Sequence, residues 1–185
     1  MRKLVVTENI TVDGVIDMSG GWFDPAAKDV DQSDLSAVTR EHSAAADALL
    51  VGRSTFESFR EFWPKQTDDQ TGVTDYLNGV AKYVVSQTLD DPGWEHTTVL
   101  RGPVVDEVRA LKAAPGRDIV CTGNTRLVPT LIGAGLVDEF RLFTFPVVVG
   151  RGARLFDGVD LPLDLVESRS FRSGAVLLVY RVRRD

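Results

Sequence analysis

Apolar positions recur along the chain in two periods. Leu4, Val6 and Ile10, with Glu8 between them, fall on alternate positions of residues 4–10, the period of a strand. Asp13-Gly14 follows as a turn signal, and Gly20-Gly21 with Asp24-Pro25 marks a loop. Leu35, Val38 and Ala45 are spaced for a helix over 34–46, with Ser33 or Asp34 placed to cap it. The apolar run 48–51 ends at Gly52 and reads as a buried strand. Phe56, Phe59 and Phe62 predict a short helix over 55–62 that Trp63-Pro64 ends, and 65–72 is polar and reads as a surface loop. Short β-branched runs lie at 82–86 and 97–100. Val104, Val108 and Leu111 share one face of a helix over 104–113, closed by Pro115-Gly116. A strand at 118–122 precedes a helix over 126–134, with Gly135 positioned as its C-terminal cap. Residues 140–149 form a long apolar strand interrupted by Pro146. Segments 165–171 and 175–183 read as a closing pair of strands turned at Ser173-Gly174.

Repeated strand–helix–strand crossovers imply an α/β domain, with one mostly parallel central sheet, helices on both faces and a C-terminal antiparallel hairpin. The length of 185 residues fits a single domain over 1–185. Ligands of such sheets sit at the carboxyl ends of the strands. Here those ends carry Gly52-Arg53-Ser54-Thr55, Ser86-Gln87-Thr88 and Gly123-Asn124-Thr125, all small, polar and rich in donors.

Composition narrows the choice of ligand. The net charge of −6 disfavours a broad nucleic-acid surface, which needs excess Lys and Arg, but leaves room for a local phosphate site. A single cysteine, Cys121, excludes an internal disulfide, and its apolar flanks suit an inert buried thiol. Two histidines and one cysteine are too few for a zinc site of the usual kind. No apolar stretch approaches the roughly 18 residues of a membrane helix. Thr7, Glu8 and Asn9 break the first apolar run too early for a signal peptide, so a cytoplasmic location is expected.

Gly52 at a strand end lets a ligand approach the backbone, the following helix start favours an anion, and Arg53 adds a permanent bidentate cation. The same pattern also describes a plain strand–helix turn with a surface arginine. Cys121-Thr122-Gly123-Asn124-Thr125-Arg126-Leu127 repeats the strand–glycine–helix arrangement, though with one glycine it is no Rossmann fingerprint. Ser86 and Gln87 follow a third strand, and Arg101 ends a fourth. Trp22 stands in a Gly-rich loop where it can stack on a ring or pack at the loop base. The early aspartates, Asp13, Asp17, Asp24, Asp31 and Asp34, are candidates for holding a polar heterocycle, and turn or cap residues by type. His42 and His96 have no neighbouring nucleophile in the sequence.

Gly135-Leu-Val-Asp-Glu-Phe-Arg-Leu142 and Pro146-Val-Val-Val-Gly-Arg-Gly-Ala-Arg-Leu-Phe156, with Asp13-Gly14 and the Gly52–Thr55 segment, resemble the dihydrofolate-reductase-like superfamily. The likeness is specifically to the C-terminal reductase domain of the riboflavin biosynthesis deaminase-reductase, here standing alone. The resemblance implies NADPH across the carboxyl edge. It gives phosphate contacts to Gly52, Arg53, Ser54 and Thr55, and the adenosine 2′-phosphate to Ser86, Gln87 and Arg101. Gly123, Asn124, Thr125, Arg126 and Leu127 would cover the pyrophosphate and nicotinamide ribose, and Asp13-Gly14 would flank the nicotinamide. The zinc deaminase pattern of the bifunctional relatives is absent. Folate-reducing members place a carboxylate on the first helix, where this chain has Ser36.

The leading reading is an NADPH-dependent reductase of a small heterocyclic or carbonyl-like substrate, resembling a riboflavin-pathway pyrimidine or a pterin. Asp31 or Asp34, or a water, would be the acid and Trp22 a substrate contact. A non-catalytic nucleotide-binding module and a true dihydrofolate reductase stand beside it. The apolar segment 140–149 and the last strand carry exposed-edge potential, which predicts a homodimer through that region.

Overall fold

The computed structural model describes residues 1–24, 31–69, 71–123 and 125–184. The strands are β1 (Leu4–Thr11), β2 (Ala46–Gly52), β3 (Ala81–Val85), β4 (Thr97–Leu100), β5 (Asp118–Cys121), β6 (Glu139–Phe145), β7 (Leu163–Ser170) and β8 (Val176–Val182). They form one sheet in the order β4-β3-β2-β5-β1-β6-β8-β7. Every pairing from β4 across to β6 is parallel. β8 lies antiparallel between β6 and β7. The fold is the α/β arrangement expected, hairpin included.

Five helices cover the sheet: α1 (Ser33–Ala44), α2 (Arg53–Phe62), α3 (Val73–Gly79), α4 (Val104–Ala113) and α5 (Leu127–Gly133). On one face, Val108 and Leu111 of α4 and Leu127, Val128 and Leu131 of α5 pack on Leu4, Val6, Leu50, Ile119 and Phe140. Each such fully buried side chain contributes roughly 1.5–3 kcal/mol. The other face carries two separate clusters. Phe56 of α2 and Leu77 of α3 lie with Leu49, Val51 and Val84, while Val38 of α1 lies with Phe143, Leu177 and Val179. Central strand β1 is paired on both sides and covered on both faces, so even Glu8 is buried.

Three expectations change. The apolar strand expected over 140–149 stops at Phe145, because Pro146 has no amide hydrogen to continue the ladder. It is also no edge: β6 and β8 are both interior, and the free edges are β4 and β7. A homodimer through that region therefore cannot form by adding a strand to β6 or β8. α2 begins at Arg53 rather than Thr55, with Gly52 as its N-cap. α3 was not legible in the sequence, being seven residues long, ending in Gly79 and burying only Leu77. Its end is held by Lys82, whose buried ammonium donates to the carbonyls of Leu77 at 2.7 Å and Val80 at 2.9 Å and lies 4.7 Å from the Trp94 ring centre. Burial draws that amine down to about 8. No helix among the described residues is long and apolar enough to cross a membrane.

Candidate functional site

The parallel register delivers the ends of β4, β3, β2, β5, β1 and β6 to one edge of the sheet, in that spatial order. At the β4–β2 side two guanidiniums bracket one loop. Arg53 donates from Nη1 to the Thr88 hydroxyl at 2.6 Å and the Thr88 carbonyl at 3.3 Å. Arg101 donates to the carbonyl of Gln87 at 3.1 Å and of Leu89 at 2.6 Å. Ser86 turns this loop internally: its hydroxyl accepts from the amides of Thr88 at 3.2 Å and Leu89 at 3.0 Å. Gln87 is exposed beside it. α2 starts here with Gly52 as its N-cap, so the positive end of its dipole lies at this edge, with Ser54 exposed in its first turn.

The middle of the edge is a clamp between three strands. The Gly123 amide donates to the buried Glu8 carboxylate at 2.7 Å, and the Thr55 hydroxyl donates to the Gly123 carbonyl at 2.7 Å. Gly123 has φ +69°, and a Cβ there would stand 2.8 Å from the Thr55 methyl. Only glycine meets both demands. Thr125 and Arg126 are exposed at the start of α5, whereas Leu127 is buried in the core and contributes packing, not a ligand contact. Asn124 lies outside the described residues.

At β1 and β6 the Asp13-Gly14 turn is fixed from far along the chain. The Asp13 carboxylate accepts from the Thr11 hydroxyl at 2.7 Å and from the amides of Val149 at 3.2 Å and Gly150 at 2.8 Å. The Thr11 bond first, then the Gly150 amide, hold its pKa at about 2. Its side chain is therefore engaged in structure, and the turn can meet a ligand only through backbone. Trp22 sits beside it, its Nε1 donating to the Asp17 carbonyl at 2.7 Å, and forms a triangle with Phe23 and Phe145 at centroid distances of 5.2–5.9 Å.

Asp31 and Asp34, the expected acids, are tied to the β7–β8 turn. Asp31 accepts from Arg172 Nη1 at 2.7 Å and Asp34 from the Arg172 amide at 3.0 Å. Ser33, then Arg172, hold Asp31 at about 2. Asp31 is thus held as a carboxylate by its partners, and Asp34 is bonded to the same turn. Ser36 is buried within α1, and its amide donates to the Gln32 carbonyl at 2.8 Å.

Comparison with known proteins then fixes the family. The family model described as the RibD C-terminal domain matches residues 2–177. This chain belongs to the RibD C-terminal domain family. It is 33% identical over 183 residues to the uncharacterized protein YyaP of Bacillus subtilis (strain 168), covering 97% of this chain and 94% of that protein. A pyrimidine reductase-like protein from Corynebacterium diphtheriae superposes with a TM-score of 0.71 at 17% identity, covering 100% of this chain and 93% of the other. A dihydrofolate reductase from Enterococcus faecalis, complexed with NADP(H), superposes with a TM-score of 0.67 at 18% identity, covering 98% and 97%. The fold is thus dihydrofolate-reductase-like.

In this RibD C-terminal domain the two signature segments work at opposite ends of the sheet. Residues 146–156 strap the Asp13-Gly14 turn: Ile16 donates to Ala153 at 3.0 Å, Leu155 to Gly14 at 3.1 Å, and Arg154 Nε to the Asp13 carbonyl at 3.0 Å. Residues 135–139 organise the amino edge, where Asp138 accepts the Leu4 amide at 2.8 Å and pairs with Lys112 and Arg184. Sequence reasoning missed Glu8, read only as a position in the strand period, and, while Phe23 shares the Gly-rich loop of Trp22, missed Phe145 as the partner of both. A carboxylate inside an otherwise apolar strand was the available signal for Glu8.

Proposed function

We propose that this RibD C-terminal domain is an NADPH-dependent reductase of a small heterocyclic substrate. The observation that carries the reading is the Arg53–Arg101 bracket beside the start of α2, two cations and a helix dipole converging where a dinucleotide's phosphates would lie. Both guanidiniums are exposed; beside carbonyls and a hydroxyl, Arg53 pairs with Glu57 at 2.8 Å and Arg101 with Asp90 at 3.7 Å, exposed pairs weak enough to yield to an anion. NADPH, when bound, supplies the hydride. The chain's own part is to hold the phosphates with Arg53 and Arg101, to keep the middle of the edge in place through Glu8, Gly123 and Thr55, and to orient the substrate near the Asp13-Gly14 turn. With Asp31 ionised, water is the proton source.

Titration of the protein into NADPH, read by nicotinamide fluorescence, tests the reading. Saturation at micromolar concentration is expected. No binding below millimolar cofactor would remove it. A second reading, a module that holds the nucleotide without turning it over, is favoured by the engagement of Asp31 and Asp34 in structure. Substrate-dependent loss of NADPH absorbance, with pyrimidine and pterin substrates including dihydrofolate, separates the two. Self-association is proposed to run through β7, whose Leu165 and Val166 are exposed. Light scattering showing a monomer at high micromolar concentration would remove that proposal.

A further inference from the structure

The order of strand ends along the ligand edge also bears on what the substrate carries. Neighbouring strands lie about 4.8 Å apart. The cationic bracket belongs to the ends of β2, β3 and β4, so the end of β6 is about 14 Å or more beyond it, on the far side of the Asp13-Gly14 turn. At that end stands the triangle of Trp22, Phe23 and Phe145, each ring partly exposed. The strap and loop around it add exposed apolar side chains, with Val148 68% exposed, Val12 62% and Met18 39%. Val12 and the strap are joined by a hydrogen bond from the Val12 amide to the Val147 carbonyl at 3.0 Å, and a Cβ on Gly20 would lie 3.9 Å from both Trp22 and Val149. These residues therefore make one apolar surface, contiguous with the turn that the reductase reading sets beside the nicotinamide.

Its chemistry is selective in a definite way. The polar tip of Trp22 is already satisfied by the Asp17 carbonyl, so the residue presents only ring surface. Neighbouring carboxylates are engaged, Asp13 by two amides and a hydroxyl and Asp17 by the Ser19 amide at 2.9 Å. A charged or strongly hydrated group gains nothing here, whereas a flat apolar group removes water from three rings at once. Resting on the reductase reading, we propose that Trp22, Phe23 and Phe145 form a specificity pocket for an uncharged planar aromatic group attached to the reducible part of the substrate.

The test uses prodan, a neutral naphthyl ketone whose emission shifts to the blue in apolar surroundings, titrated with the full chain with and without NADPH. Saturable, blue-shifted binding is expected, together with weakening of about tenfold in Trp22→Ala and in Phe145→Leu, the latter keeping apolar volume while removing a ring. Phe62→Ala serves as control, since Phe62 is a comparably exposed ring stacked edge-on with Trp63 at the end of α2. It should leave prodan affinity unchanged. 2-Naphthoate, with a carboxylate on the same ring system, should bind more weakly than prodan. Absence of saturable binding, full affinity in both pocket variants, or equal weakening by Phe62→Ala overturns the proposal. The NADPH titration of the same variants reports on the reductase reading separately. Undiminished cofactor binding in Trp22→Ala and Phe145→Leu is expected, and failure of the wild type to bind NADPH would sink that reading while leaving the prodan result legible.

Discussion

At the amino ends of the strands, Arg2 meets Asp47, Lys112 and Arg184 share Asp138, and Arg141 bridges Glu139 at 2.8 Å and Asp118 at 3.3 Å. The side chains of Arg2, Lys112 and Arg141 are all less than a tenth exposed. At the carboxyl ends, Arg53 and Arg101 donate mainly to carbonyl oxygens, and their own ion pairs, with Glu57 at 2.8 Å and Asp90 at 3.7 Å, are exposed. Breaking a buried pair costs several kcal/mol, whereas an exposed one is worth about 0–1 kcal/mol. A phosphate can thus recruit the second set of arginines and not the first. Cavities of about 260 Å³ and 450 Å³ do open at the amino end, beside Asp47 and Arg117 and beside Asp138 and Arg181. Charge that is already matched, however roomy its surroundings, offers little to a ligand.

Glycine substitutions at the two ends give the widest expected separation. Gly123 at the carboxyl edge and Gly116 at the amino edge both have positive φ, +69° and +149°, and a Cβ at Gly116 would lie 2.8 Å from the Arg2 guanidinium carbon. Gly123→Ala and Gly116→Ala should each cost about 2–4 kcal/mol, combining backbone strain with a clash. Thermal midpoints should fall by roughly 5–15 °C. Only Gly123→Ala should also abolish NADPH binding in the protein that remains folded, because the Thr55–Gly123–Glu8 clamp is lost. Equal loss of binding in both variants would erase the distinction between the ends.

Arginine substitutions come next. Arg53→Ala removes a charged donor and should weaken NADPH binding about 10–100-fold, from roughly 1.5–3 kcal/mol for a charge-assisted bond. Arg183→Ala, which breaks only the exposed pair with Asp164 at the other end, should leave that affinity within about twofold. Fluorescence titrations of both variants at one salt concentration make the comparison.

The sequence reached the two ends unequally. β4 and α4 were legible to the residue, because β-branched runs and a Val104–Val108–Leu111 face are local signals. The carboxyl-edge loops were legible as well, since glycine, serine and arginine at strand ends carry their chemistry with them. Residue roles that depend on a distant partner were not. Asp13 reads as a turn residue or cofactor neighbour until Val149 and Gly150, more than 130 positions away, are seen to donate to it. Asp31 and Asp34 read as acids until Arg172 arrives from the last hairpin. The internal bonds of Ser86 and the core packing of Leu127 depend on the folded chain in the same way.

Acid should disturb the amino half before the ligand edge. His42, in the last turn of α1 and 6.1 Å from the Phe143 ring, is pushed down to about 4 by burial and then by the Arg141 charge, against Glu41, Glu167 and Glu139. Its folded pKa lies below the unfolded value of about 6.5, so the unfolded chain takes the proton first. The stabilisation is complete above pH 6.5 and is lost as pH falls towards 4, amounting to about 1–2 kcal/mol after screening by solvent. Urea midpoints should decline across that window in the wild type and stay flatter in His42→Gln. The carboxylates Asp13 and Asp31, held at about 2, should matter only below pH 4. A wild-type midpoint constant from pH 7 to 4.5 would contradict the account.

The smallest effect is the most pointed. If water is the proton source, Asp31→Asn should change turnover by less than about fivefold and leave the thermal midpoint nearly unchanged, since the Asp31–Arg172 pair is exposed on both sides. A catalytic acid lost to an amide would instead lower kcat by 10²-fold or more and flatten its alkaline limb. The variant keeps the shape of the side chain and the acceptor oxygen that can face Arg172, so a large fall in kcat with unchanged NADPH affinity would return Asp31 to the reaction. It would also mean that the β7–β8 turn moves away from α1 during turnover, because only a carboxylate freed from Arg172 and Ser33 could regain a proton near neutral pH.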